Sequence, residues 1–218
     1  MTVTTRQVGQ ALGFSIPTVN KLLATGLVPG VRKGWFEGGG YGQVIPDDAL
    51  QALQRLPDAD LSGVPAGEVA VLRADAATPV EEDNRRWVGF GVTLTEEELL
   101  AALQGWWRCN PQRVADAKIL VVTVATYTVA VLTGLEDSVS QGAARSARHW
   151  FPHARLSGYL TDLTAPVNAV KSTPDHADEQ RLASLLLGKR LFSESGGPIA
   201  YVKTRPATSV ADIEGELS

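Results

Sequence analysis

TTRQVGQALGFSIPTVNKLLATGLVPGVRKGWFEGGGYGQVIPDDAL, residues 4–50, decides how the N-terminal part of this chain folds. Thr4 followed three residues later by Gln7 is a capping-box pattern, so a helix is expected to start there. Val8, Ala11 and Leu12 recur at helical spacing and are its expected buried side. Gly13 stands where a glycine ends a helix, and Phe14 is expected to plug the following turn from inside. Ser15 then caps a second helix. Pro17 lies in its first turn, where a missing N–H costs nothing. Val19, Leu22 and Leu23 are its expected core side, Thr18, Asn20 and Lys21 point elsewhere, and Gly26 ends it.

After these helices, residues 27–32 lead into a candidate strand, Gln43-Val44-Ile45 is a second, and Pro46-Asp47-Asp48 starts a third helix running to Leu56. Two short helices, a tight glycine turn and a polar face on the second helix make a helix-turn-helix pattern, which a generic helical hairpin shares. A hairpin behind it is a wing. This geometry places one short helix in the DNA major groove.

The set Thr18-Val19, Gly26-Leu27 with Pro29, Val31-Arg32-Lys33 and Ile45-Pro46-Asp47 resembles the excisionase-type, MerR-like winged helix-turn-helix family. The resemblance covers about a quarter of the chain. It implies that Thr18, Asn20 and Lys21 face the major groove, with Asn suited to adenine and Lys to guanine or phosphate. It also implies that Arg32 and Lys33 meet the backbone or minor groove, and that Arg6 contacts a phosphate. The sequence departs from the family at the wing tip. Trp35-Phe36-Glu37-Gly38-Gly39-Gly40-Tyr41-Gly42 stands where a short tip with paired arginines is usual. The glycines imply a long, mobile loop. Its aromatics, Tyr41 among them, could stack on sugars or wedge into a groove, or Trp35 and Phe36 could pack the hairpin onto the helices. Glu37 would repel phosphate.

The 218 residues suffice for one small and one medium domain. Net charge is -4 but unevenly placed: residues 1–57 carry +2 and the remainder -6. A locally basic reader on an acidic body is compatible with DNA binding, because the local field matters more than the total. Cys109 is the only cysteine, which excludes an intrachain disulfide and an all-cysteine zinc site. It is expected as a packed thiol in a reducing cytoplasm. No apolar run approaches the ~20 residues of a membrane span, and no signal-peptide pattern opens the chain.

Residues 57–67 read as a linker. Beyond them, strands are expected over Glu68–Arg73, Trp87–Val92, Ile119–Ala125, Thr128–Leu132, Arg155–Thr161 and Pro198–Val202. Residues 75–86 are expected as a loop. Thr95 caps an expected helix with acids in its first turn, running through Leu99, Leu100 and Leu103 to Trp106-Trp107 and broken by Asn110-Pro111. A last helix is expected over Ala177–Leu191, with Leu182, Leu185, Leu186 and Leu187 buried. The fold class expected is α+β: a winged helix-turn-helix over residues 1–57, a linker over 58–67, a larger mixed domain over 68–205 and a flexible tail over 206–218.

Candidate chemistry in the larger part is sparse. His149 and His153 lie four apart, but Pro152 intervenes and no acid or cysteine completes a metal site. Glu96-Glu97-Glu98 suits a solvated helix start. No phosphate loop and no nucleophile elbow is present. No catalytic residue, metal or cofactor is therefore expected, and the chain is read as not an enzyme. On one helix, Trp106 and Trp107 would point about 100° apart, leaving one indole for a partner or a ligand, the alternative being that both lie under neighbouring loops. Arg145, Arg148, His149, His153 and Arg155 gather charge around Trp150-Phe151. Trp107, Arg145, Arg148 and Arg155 are thus candidates for further DNA or partner contacts, a solvated basic patch being the alternative.

The function expected is a sequence-specific double-stranded DNA-binding protein, a transcriptional regulator. One winged helix makes few phosphate contacts, so affinity calls for a homodimer or a second DNA-contacting surface. A recombination-directionality factor of excisionase type stays open, as does a DNA-addressed nuclease or modifying enzyme.

Overall fold

The computed structural model describes residues 1–36, 39–82, 84–143, 146–171, 176–194 and 196–204. The expected tail over 206–218 and Arg145 lie outside these residues. The fold is mixed α and β, with helices packed around several sheets.

The N-terminal unit runs β1 (Thr2–Thr4), α1 (Thr5–Leu12), α2 (Ile16–Ala24), β2 (Arg32–Phe36), β3 (Gly40–Pro46) and α3 (Asp47–Arg55). The local signals act as their chemistry dictates. The Thr4 hydroxyl accepts from the Gln7 amide while the Gln7 side chain accepts from the Thr4 amide, closing the capping box. Gly13 takes the left-handed conformation (φ 72°) that a side chain resists. Ser15 caps α2 through the Thr18 amide, and Val19, Leu22 and Leu23 are buried as expected. In α1 the buried pair is Val8 and Gly9, whereas Ala11 is exposed. Gly9 sits beneath the turn, where the Phe14 amide donates to its carbonyl at 2.8 Å. β1, which carries no sequence signal of its own, adds an antiparallel strand to β3 and gives the order β1-β3-β2.

Of the residues expected as a long mobile loop at 35–42, Trp35, Phe36, Gly40, Tyr41 and Gly42 are ladder, and Glu37 and Gly38 lie outside the described residues. Trp35 pairs with Tyr41, and Phe36 with Gly40. The glycines there serve space as well as freedom. A Cβ on Gly40 would collide with the Phe36 ring, and one on Gly42 would come within 3.3 Å of it. Trp35 is 75% exposed, so it does not pack the hairpin onto the helices.

Beyond α3, β4 (Glu68–Arg73) leads into a hairpin of β5 (Thr78–Glu82) and β6 (Arg85–Val88). This hairpin replaces the loop expected at 75–86. α4 (Glu96–Leu103) is capped by the Thr95–Glu98 box. It ends before the tryptophans, so Trp106 and Trp107 are not helical neighbours pointing about 100° apart. They lie in an extended segment whose Trp107 amide donates to His149 O at 2.9 Å and whose Trp107 carbonyl accepts from His149 N at 2.8 Å. Asn110-Pro111 opens α5 (Pro111–Ala117) rather than merely breaking α4. Asn110 caps it and Pro111 takes the first position, where proline suits a helix.

Then come β7 (Leu120–Val124), β8 (Tyr127–Thr133), β9 (Val139–Gln141), β10 (Arg148–Trp150), β11 (Arg155–Tyr159), β12 (Val170–Lys171), α6 (Ala177–Leu186) and β13 (Ile199–Lys203). The main sheet has the order β12-β11-β8-β7-β4-β13. It is antiparallel except for β4 with β7, a pairing that needs the long crossover through the β5–β6 hairpin, α4 and α5. β7 and β8 are buried along their whole length, which suits their near-continuous Val, Leu and Ala content. Their turn falls at Ala125-Thr126, one residue earlier than expected. That makes Tyr127 the first, fully buried residue of β8. α6 ends at Leu186, short of the expected Leu191.

The two parts share one continuous apolar core. The Phe14 ring meets Tyr127 edge-on at 5.9 Å, and the Tyr127 hydroxyl donates to Leu53 O at 3.3 Å. Backbone amides of Val92 and Leu163 donate to the carbonyls of Thr25 and Leu27. The 58–67 segment is docked as well: Val64 is buried and Ala59 N donates to Arg190 O at 2.8 Å.

Candidate nucleic-acid interface

The cap of α1, the start of α2 and the β2–β3 hairpin converge on an open groove of about 430 Å³. Thr4, Thr5 and Arg6 bring the first turn of α1, Ile16 the first turn of α2, and Phe36 and Gln43 the hairpin. The positive end of the α1 dipole and the adjacent Arg6 make this rim electropositive. Arg6 lines it, and Asn20, Arg32, Lys33 and Tyr41 are exposed elsewhere on α2 and the hairpin.

Helical spacing divides the polar surface of α2. Ile16 and Asn20 are four apart and share one stripe, and Ile16 lines the groove. Thr18 and Lys21 are three apart and share another. That second stripe faces the ends of the main sheet, where Thr18, Lys21, Arg73, Asp75 and Thr123 line a separate cleft of about 450 Å³. There Lys21 Nζ pairs with Asp75 Oδ1 at 2.7 Å. The residues singled out from sequence therefore split: Arg6 lines the first groove and Asn20 shares the stripe of Ile16, while Thr18 and Lys21 are turned toward Asp75.

On the hairpin, the pleat separates neighbours. Lys33 opposes Gln43, and Trp35 opposes Tyr41 with ring centroids 5.5 Å apart, so Lys33, Trp35 and Tyr41 share a face. Arg32 lies on the other face, opposite Val44. Thr5, Ile16 and Gln43 were not singled out by their types. The capping box is the signal that marks Thr4-Thr5, since it locates the amides of a helix start.

In the larger part, Trp107 and Arg148 come together in one pocket with Arg85 and Arg108. Arg155 does not join them. It is paired to Glu179, which also accepts from Thr133 at 2.7 Å. His149 is buried and bonded to Ser140 at 2.9 Å, whereas His153 is largely exposed beside Asp137. The two histidines thus share no helix face. Among the described residues no group of three His, Cys, Asp or Glu is placed to hold a metal. No helix of the described residues is long and apolar enough to cross a membrane. The chain matches no protein-family model, no curated protein and no solved structure.

Proposed function

We propose that this chain is a sequence-specific double-stranded DNA-binding protein of the winged helix-turn-helix kind, acting as a transcriptional regulator. The observation that carries the reading is the convergence of the α1 cap with Arg6, Ile16 of α2 and the β2–β3 hairpin on one groove, with Asn20 on the stripe of Ile16 and Arg32 and Lys33 exposed on the hairpin. In this reading α2 enters the major groove with Asn20 toward base edges. Arg6 and the amides of the α1 start take a phosphate, and Arg32 or Lys33 takes the backbone beside the groove. Lys21 contributes once its contact with Asp75 is exchanged for phosphate or guanine.

Selection of bound duplexes from a random pool tests this. A motif should be enriched. Asn20→Ala should relax preference at one position, at a cost of about 1–3 kcal/mol. Arg32→Ala should weaken binding to all sequences and lower the salt slope by about one unit. Failure to enrich any motif, or binding indifferent to salt, overturns the reading.

A further inference from the structure

The tryptophans expected to end α4 instead build a pocket. The β5–β6 hairpin, the extended 105–108 segment, β10 and the 196–198 turn enclose a cleft of about 460 Å³, a size that suits a small organic ligand. Trp106 and Trp107 form aromatic walls, and Arg85, Arg108 and Arg148 bring three cations. Glu82 is the one acid among the described residues lining it. This positive cluster sits on the part of the chain whose net charge is -6, so it does not follow from a generally basic body.

Arg85 is the most telling member. Its side chain is only 4% exposed. Nε and Nη2 donate to Glu82 at 2.7 and 3.3 Å, and the guanidinium lies 5.4 Å from the centre of the Trp107 ring. Nη1 is buried and has no hydrogen-bond partner. A buried guanidinium ordinarily spends its donors, and an unspent one is costly. The aromatic walls are fixed before any ligand arrives. Trp107 Nε1 donates to Leu103 O at 2.7 Å, and Trp106 Nε1 donates to Asn84 Oδ1 at 3.2 Å. Trp106 also rests on Trp150, ring centroids 5.9 Å apart.

We infer that this pocket binds a nucleobase–phosphate unit, the base stacked on indole and the phosphate held by Arg108, Arg148 and Arg85. Indole accepts any base through its π face, and a fork of arginines suits phosphate oxygens. The base faces of a duplex are already stacked, so the ligand is a free nucleotide or an unpaired nucleotide of a strand. The site is therefore separate from the duplex-reading groove, and its validity does not depend on that reading.

Titration calorimetry of the full chain tests it, using AMP, GMP, CMP, UMP, a ten-residue oligo-dT and inorganic pyrophosphate as probes. At least one nucleotide or the oligonucleotide should bind. The exposed double variant Arg108→Gln/Arg148→Gln should lose about tenfold or more in affinity, and Trp106→Leu a similar factor, without change in the melting curve of the double variant. Tighter binding of a nucleotide than of the strand assigns a free nucleotide, and the reverse assigns a strand. The inference is overturned if no probe binds at millimolar concentration, if pyrophosphate binds as well as every nucleotide, or if neither variant weakens binding. Asn20→Ala should leave these titrations unchanged. The Arg108→Gln/Arg148→Gln variant should leave duplex selection unchanged, so the two proposals fail separately.

Discussion

Lys21 and Cys109 show how a residue's chemistry depends on what faces it. On the DNA-reading proposal, Lys21 must leave Asp75. Their 2.7 Å contact is between side chains 54% and 64% exposed, so it is worth no more than about 1 kcal/mol. Asp75→Asn should accordingly tighten duplex binding up to about fivefold, measured by fluorescence anisotropy, while Lys21→Ala removes that gain. Tighter binding that persists in Lys21→Ala/Asp75→Asn would show that the pair is not the cause. Cys109 is half-buried, and burial pushes its thiol up to about 12. The folded state therefore keeps the proton that the unfolded chain sheds from about pH 9, so this residue's contribution is present below pH 9 and lost between pH 9 and 12. At pH 9, iodoacetamide should label the native protein at least about a hundredfold more slowly than the unfolded chain. Equal rates would place the thiol in water. The lone cysteine reads as a packed thiol and the family resemblance implies a DNA-facing lysine, but Asp75, 54 positions away, is invisible from Lys21 in the sequence.

At the scale of elements, local signals were legible where the chemistry is local. The Thr4–Gln7 box, Ser15, Gly13 and the Thr95–Glu98 box all cap the helices that their spacing marks, because a cap involves only three or four consecutive residues. Other local signals have two meanings. Asn110-Pro111 reads as a stop but begins α5, since proline excludes a helix interior and suits a helix start. Glycines within 35–42 read as a mobile loop, yet Gly40 and Gly42 clear room for the Phe36 ring. Gly40→Ala should therefore displace Phe36 from the groove. We expect a loss of roughly 1–3 kcal/mol in stability, the usual cost of overpacking, and weaker duplex binding. Unchanged melting would mean that the ring swings away without penalty. A second element-level case is Gly26, at φ 78° and with its Cβ direction 2.6 Å from Val92. Gly26→Ala combines backbone strain with that collision, so it should destabilise as well.

At the scale of the whole molecule, one apolar cluster runs through the N-terminal unit and the larger sheet. Tyr127 is its hinge point, touching Phe14 by ring and Leu53 by hydroxyl, and burial holds its phenol protonated by pushing it up to about 12. Heat unfolding should therefore be a single transition, coincident by near- and far-ultraviolet circular dichroism. Tyr127→Ala should cost about 3–5 kcal/mol and shift the whole transition. Two separated transitions would show that the units unfold independently. The sequence by itself determined the caps, the two N-terminal helices, the hairpin's existence and the buried β7–β8 pair, because these follow from spacing and burial within a few residues. Tertiary structure decided which stripe of α2 stays open, where Tyr127 anchors the N-terminal unit, and that Trp106, Trp107 and three arginines meet in one pocket. Those arrangements join residues tens of positions apart, and side-chain pattern carries no information on which distant segments will pack together until the chain closes its core.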